Sequence, residues 1–342
     1  MKHMGKGAAA PLRSRLCWGL LAASLPLMAQ PKLLVNANLD TKSAGSGLEA
    51  VFRPLVTAQP QPAWIGWAVP SVRTFNMGCE YVYTDGQSRT GQGTVHLEPP
   101  DHAVILLRVD QGAISRVRYI SPDCEIDAGG VPLHWLTDVR PPESVALLSA
   151  LVTEREPSSS SAMGAIAMHA DASADQALDR FASAQEPLSI RQRAISLLAN
   201  ERGHHGFEVV KNTLANDTDE RVKERAVSAL GNSKDPAALD LLLETARRNS
   251  NPKLRAQAVS ALSRRPEPKI LDTLRAAIDD PDITVTRRAI STLSSLPDGD
   301  GIPLLIQVIK TTKSQEVRKQ AMSALESSRD PRALTFFEDV LK

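Results

Sequence analysis

Five stretches of this chain are copies of one another. Residues 190–198, 222–230, 254–262, 285–293 and 317–325 superpose without a gap. Their shared alanines, Ala194, Ala226, Ala258, Ala289 and Ala321, follow at steps of 32, 32, 31 and 32 residues. Residues 162–166, one step earlier, fit a degenerate first copy. Between the copies lie second helical stretches such as 237–247 and 302–311, usually entered by Asp-Pro or Gly. A lone helix pair of this kind cannot bury both of its apolar faces, so the pairs must stack into a solenoid.

The pattern of an Asn/Asp-Pro turn followed by V-R-x-x-A-V-x-A-L resembles the HEAT repeat, in particular the short bacterial type also found in phycobilisome-lyase-like proteins. The resemblance covers about residues 142–342. It implies a right-handed α-solenoid of about six helix pairs plus a final capping helix, with the V-R helix on the concave side. It also implies that Arg191, Lys223, Arg255 and Arg318 reach the turn aspartate of a neighbouring repeat; Asp219 and Asp282 stand in such turns, and Asn251 stands where Asp is usual. About activity it implies little, because the family holds scaffolds, adaptors and a few enzymes.

On a helical wheel Val222, Ala226, Ala229 and Leu230 share an arc of about 80° and form the buried stripe. The opposite arc of the five copies carries Arg193, Arg221, Arg225, Lys253, Arg287, Arg288 and Lys319, against Glu224 and Glu316. Seven basic and two acidic residues on one arc are expected to line a groove for a protein or peptide with acidic character. The serine column, Ser196, Ser228, Ser260, Ser291 and Ser323, has no facing histidine base and is read as a small, solvated position.

The front of the chain follows a different rule. Eight of the thirteen aromatic residues lie between positions 30 and 141. Residues 103–109 and 113–120 flank an Asp110-Gln111-Gly112 turn and predict a hairpin, with Ile114, Arg116, Arg118 and Ile120 on one side. Further strands are expected at 64–69, 80–84 and 94–98, and a helix after Gly47 through Leu48, Val51, Phe52 and Leu55. Residues 30–141 are thus read as a small α+β domain with an antiparallel sheet, ahead of a solenoid over 142–342.

Residues 1–29 have the order of a secretory signal peptide: Lys2, Lys6, Arg13 and Arg15, an apolar stretch over 16–28, then Ala29. Cys17 precedes the apolar stretch, which is the wrong place for a lipidated cysteine. Export to the periplasm or the exterior is expected, and removal of four cations takes the formal charge from +1 to −3. In an oxidising compartment the two remaining cysteines, Cys79 and Cys124, are expected to form a disulfide.

Several chemistries are disfavoured. Forty basic against thirty-nine acidic residues is no nucleic-acid-binding balance. No transmembrane segment is expected, because no apolar run reaches 18 residues. His204 and His205 are adjacent, unlike an i, i+4 metal pair; His96, His102 and His134 form no ligand spacing. Asp123-Cys-Glu-Ile-Asp127 lacks the calcium-loop pattern, and Gly91-Gln-Gly93 lacks the rest of a nucleotide fingerprint. No cofactor or metal is expected. The leading expectation is an exported, non-catalytic interaction scaffold; the alternative is a HEAT-type lyase or isomerase acting on a chromophore or another bound ligand.

Overall fold

The computed structural model describes residues 33–58, 61–72, 79, 82–84, 87–89, 100–265 and 267–341. The signal-like segment 1–29, the strand expected at 94–98, His96 and Gly91-Gln-Gly93 lie outside them.

The front half runs β1 (Leu33–Val35), β2 (Asn38–Ser43), α1 (Leu48–Thr57), β3 (Ala63–Pro70), β4 (Val82–Thr84), β5 (Gln87–Arg89), β6 (His102–Asp110), β7 (Ala113–Ile120), β8 (Glu125–Asp127) and β9 (Pro132–Thr137). Its main sheet has the order β2-β9-β3-β6-β7, with small ribbons β1-β8 and β4-β5 beside it. The antiparallel expectation holds for β3-β6-β7, but β9 pairs parallel with both β3 and β2, so the sheet is mixed. The cause is α1. A strand that returns through a helical crossover runs parallel to the one before it, and β9 inserts in the gap between β2 and β3.

Gln111 and Gly112 both take positive φ at the β6–β7 turn, the geometry that a two-residue hairpin needs. A bulge at Arg108/Val109 then pairs Val109 with Ile114 but Arg108 with Arg116, leaving Ser115 as the extra residue. Side chains switch faces across a bulge. Ile114 therefore packs into the large core, while Ile120 joins the small cluster on the opposite face, so the four residues expected on one side are divided. β6 itself is buried on both faces. Ala103, Ile105, Leu107 and Val109 meet the large core; Val104 and Leu106 meet Leu133 and Trp135.

Thirteen further helices follow: α2 (Pro141–Ala150), α3 (Ser159–Met168), α4 (Ala172–Ala182), α5 (Leu188–Glu201), α6 (Gly203–Asn216), α7 (Glu220–Leu230), α8 (Ala237–Arg248), α9 (Pro252–Leu262), α10 (Lys269–Ile278), α11 (Ile283–Ser294), α12 (Ile302–Thr311), α13 (Gln315–Glu326) and α14 (Pro331–Leu341). From α3 onward they form six pairs, with α2 as an unpaired leading helix and α14 completing the sixth. Ser158 is the N-cap residue of α3, and Ser159–161 form its first turn.

α3 explains why the first copy is degenerate. Residues 162–168 are all buried, between the sheet on one side and α4 and α5 on the other. Gly164 lies under Tyr119 of β7, where a Cβ would stand 2.6 Å from the phenolic oxygen. The sheet docks directly onto the first repeat, and one continuous apolar core runs from α1 to α14. Backbone bonds reinforce the joint: Val72 N–H donates to Met168 O and Ala170 N–H to Pro70 O, at 2.8 and 2.9 Å.

Candidate interaction face of the solenoid

Four of the five V-R helices begin with a side-chain cap; α5 opens after Pro187 without one. Asp219, Asn251 and Asp282 accept from the backbone N–H of Arg221, Lys253 and Thr284 at 2.9, 2.9 and 2.8 Å, and Ser314 accepts from Val317 N–H at 3.3 Å. These caps start α7, α9, α11 and α13 at the same point of the motif, so their equivalent positions fall into columns.

The arginine column behaves as a structural strut. Arg191 pairs with Asp217, and Arg255 grips Asp280 with two bonds of 2.8 Å, each acid lying in the turn before the next V-R helix. The partner is thus two residues earlier than expected, because Asp219 and Asp282 are occupied as caps. Burial raises and the Arg255 guanidinium lowers the Asp280 carboxyl, with a net fall below its ordinary range. In the intervening repeat Asn249 holds the acid's position, and Lys223 pairs instead with Glu220 of its own helix, at 3.5 Å. Arg318 turns back to the carbonyls of Ile309 and Thr312, closing the end of α12.

The seven basic residues expected on the outward arc are all exposed. They are not equivalent. Arg221 is held by Asp219 at 2.7 Å, and hydrogen bonds from the Arg221 side chain and backbone keep that carboxyl at about 2. Arg287 is paired with Glu316 of the next repeat. Among the described residues no ion pair engages Arg193, Arg225, Lys253, Arg288 or Lys319. Arg193 and Arg225 meet in one cleft of about 420 Å3, whose other walls include Glu154, Glu156 and Ser189, with Ser189 donating to Glu154 at 3.1 Å. Lys319 lines a separate, open cleft at the end of the row. Side-chain amides tie the row together: Gln192 donates to Arg221 O at 3.1 Å and Gln257 to Ser228 Oγ at 2.6 Å.

The other candidates resolve into local roles. Cys79 and Cys124 are bonded, with Cα atoms 5.3 Å apart. His204 and His205 face Asp235 and Asp179 at 2.9 and 3.0 Å, His102 faces Asp101 at 2.9 Å and His134 faces Asp40 at 3.0 Å. Asp127 accepts from Asn36 and from Gly129 N–H, so it braces a turn. Among the described residues no helix is long and apolar enough to cross a membrane.

One pair escaped the sequence reading. Ser144 of α2 and His169 after α3 are both fully buried, with Ser144 Oγ 2.9 Å from His169 Nε2 and accepting from Trp67 Nε1–H at 2.8 Å. His169 Nδ1 bonds Ala165 O at 2.8 Å. A serine facing a histidine suggests a nucleophile, but this hydroxyl has no access to solvent and is already bound by the indole. It ties the sheet to the first repeat. Nothing in the spacing of residues 67, 144 and 169 signals it.

The class is therefore an α-solenoid of stacked helix pairs joined to a mixed-sheet front. The HEAT-repeat family profile matches residues 174–263, 207–294, 239–326 and 271–342 in overlapping frames, so residues 174–342 are HEAT repeats and the protein is a HEAT-repeat protein. The sheet-bearing front lies outside the match. No curated protein matches the sequence significantly. Among solved structures, human deoxyhypusine hydroxylase in complex with glycerol aligns at 20% identity and a TM-score of 0.33, over 47% of this chain and 65% of its own length. The CpcE–CpcF complex of phycocyanin lyase from Nostoc sp. PCC7120 aligns at 20% identity and 0.35, over 45% and 99%. A designed armadillo repeat protein in complex with the peptide (KR)4 aligns at 19% identity and 0.29, over 54% and 98%. Each is a likeness of stacked helices and no more.

Proposed function

We propose that this protein is an exported, non-catalytic scaffold that binds an acidic protein or peptide segment along the V-R row. The observation that carries this reading is the set of five exposed cations, Arg193, Arg225, Lys253, Arg288 and Lys319, with no ion pair among the described residues. Export is supported by the signal-like residues 1–29 and by the Cys79–Cys124 bond. That the row lies on the inner side is supported by packing: α5, α7, α9, α11 and α13 each contact the next closely, whereas contacts along the even-numbered row are thinner. Helices packed side by side sit about 10 Å apart, so the cations form a line spaced close to the screening length of about 8 Å, and an extended acidic segment can meet them one after another.

The test uses a fluorescein-labelled peptide alternating Glu with Gly, and its Lys counterpart. The full chain is expected to bind the acidic peptide only, with affinity falling steeply as salt rises. Equal binding of the two peptides, or none to the acidic one, would overturn the proposal.

A further inference from the structure

Arg193 of α5 and Arg225 of α7 share their cleft with two acids. Glu154 and Glu156 reach it from the loop of residues 151–158 between α2 and α3, and these four are the charged side chains among its lining. Opposite charges therefore line one cleft, yet among the described residues none of the four is ion-paired. Glu154 accepts only the Ser189 hydroxyl, at 3.1 Å. Buried Met163 and Ile190 supply the apolar part of the lining. The basic row also starts here. α3, the degenerate copy that precedes α5, is buried throughout residues 162–168 and offers no outward arc.

A cleft with both signs selects among the parts of an acidic segment. A stretch from its interior brings carboxylates alone, which Glu154 and Glu156 repel, and a carboxyl terminus brings one more. An amino terminus brings an ammonium for the two acids, and the acidic residues that follow bring the carboxylates that Arg193 and Arg225 lack. We infer that this cleft receives the free amino terminus of the bound acidic segment, which then runs from α5 toward α13. The inference rests on the reading of the row as a surface for such a segment. It adds a direction and a chemical requirement, an unblocked chain end.

Three peptides test it against the full chain, each with the same Glu-Gly run and a fluorescein at its carboxyl end. One has a free amino terminus, one is acetylated, and one carries ten glycine and serine residues ahead of the run. At pH 7 the first is expected to bind about fivefold more tightly than the second, the scale of one or two exposed ion pairs. The sign is diagnostic, because the row by itself favours the acetylated peptide, which is the more negative. The spacer should abolish the advantage. So should pH 9, above the α-amino range of about 8, while the acetylated peptide serves as the control. Glu154→Gln with Glu156→Gln should bring the ratio of the two affinities to one or below. Both acids are exposed on a loop, and circular dichroism of the double variant reports its fold. Equal or weaker binding of the free-amine peptide to the wild type, or an advantage that survives the spacer or the double substitution, would overturn the inference and leave the row standing. Failure of all three peptides to bind would overturn both.

Discussion

His169 Nε2 accepts a hydrogen bond from Ser144 Oγ at 2.9 Å, and this contact couples the titration of one imidazole to the docking of the sheet. Ser144 already accepts from the Trp67 indole, so its own hydrogen points at Nε2, and Nδ1–H donates to Ala165 O. Only a neutral ring satisfies every partner. Burial, helped by the nearby Arg202 guanidinium and opposed by the Ala165 and Ile166 carbonyls and by Asp171, pulls the imidazole down to about 4. The unfolded chain binds its proton near 6.5, so between these values it holds more protons than the native state. Stability is complete above about pH 6.5 and falls as the pH drops, by about 2 kcal/mol at pH 5. Urea unfolding at pH 7.5, 6 and 5 should show this slope, and His169→Gln should flatten it. Parallel profiles for the two chains would refute the assignment.

The Arg255–Asp280 strut predicts an asymmetry. Asp280→Ala leaves a mostly buried guanidinium without its acid and should cost about 3 kcal/mol. Arg255→Lys should recover little of the wild-type stability, because an ammonium cannot make the paired bonds from Nε and Nη2. Thermal unfolding of the two variants checks both.

Charge reversal on the row should separate binding from folding. Arg225→Glu with Arg288→Glu removes two cations that support no internal contact, so the melting temperature should change little while association with the acidic peptide slows about tenfold or more at low salt. Stopped-flow association rates at two ionic strengths read the effect. Arg287→Glu should differ, because it also sets two carboxylates against each other at Glu316 and should loosen the α11–α13 contact.

Reduction of Cys79–Cys124 opens a loop of 45 residues, for which chain entropy gives about 4 kcal/mol. Cys79→Ser with Cys124→Ser should therefore destabilise the sheet-bearing front, visible as faster hydrogen exchange in β6 and β7. Exchange in α9 and α11 should be unaltered, since solenoid repeats depend on their nearest neighbours.

The basic row shows how far spacing alone reaches. All seven residues could be placed on the exposed arc from helical periodicity, because a helix converts position into direction. Which of them stay unpaired could not be read, since Arg287 is neutralised by Glu316 from the next repeat and Arg221 by its own cap. The strut partners were misplaced by two residues for a related reason: one aspartate per turn is consumed as a cap, a choice made by backbone geometry.

What the amino-acid sequence determined by itself was everything local. The repeat, its buried alanine–leucine stripe, the β6–β7 hairpin and the helix after Gly47 all rest on contacts within one element or between neighbours. Tertiary structure decided the remainder. It set β9 between β2 and β3, divided Ile114 from Ile120 by a bulge, and joined Trp67 to Ser144 across 77 residues of chain. Periodicity carries no information about such partners, because which distant surfaces meet depends on the shapes they present once each has folded.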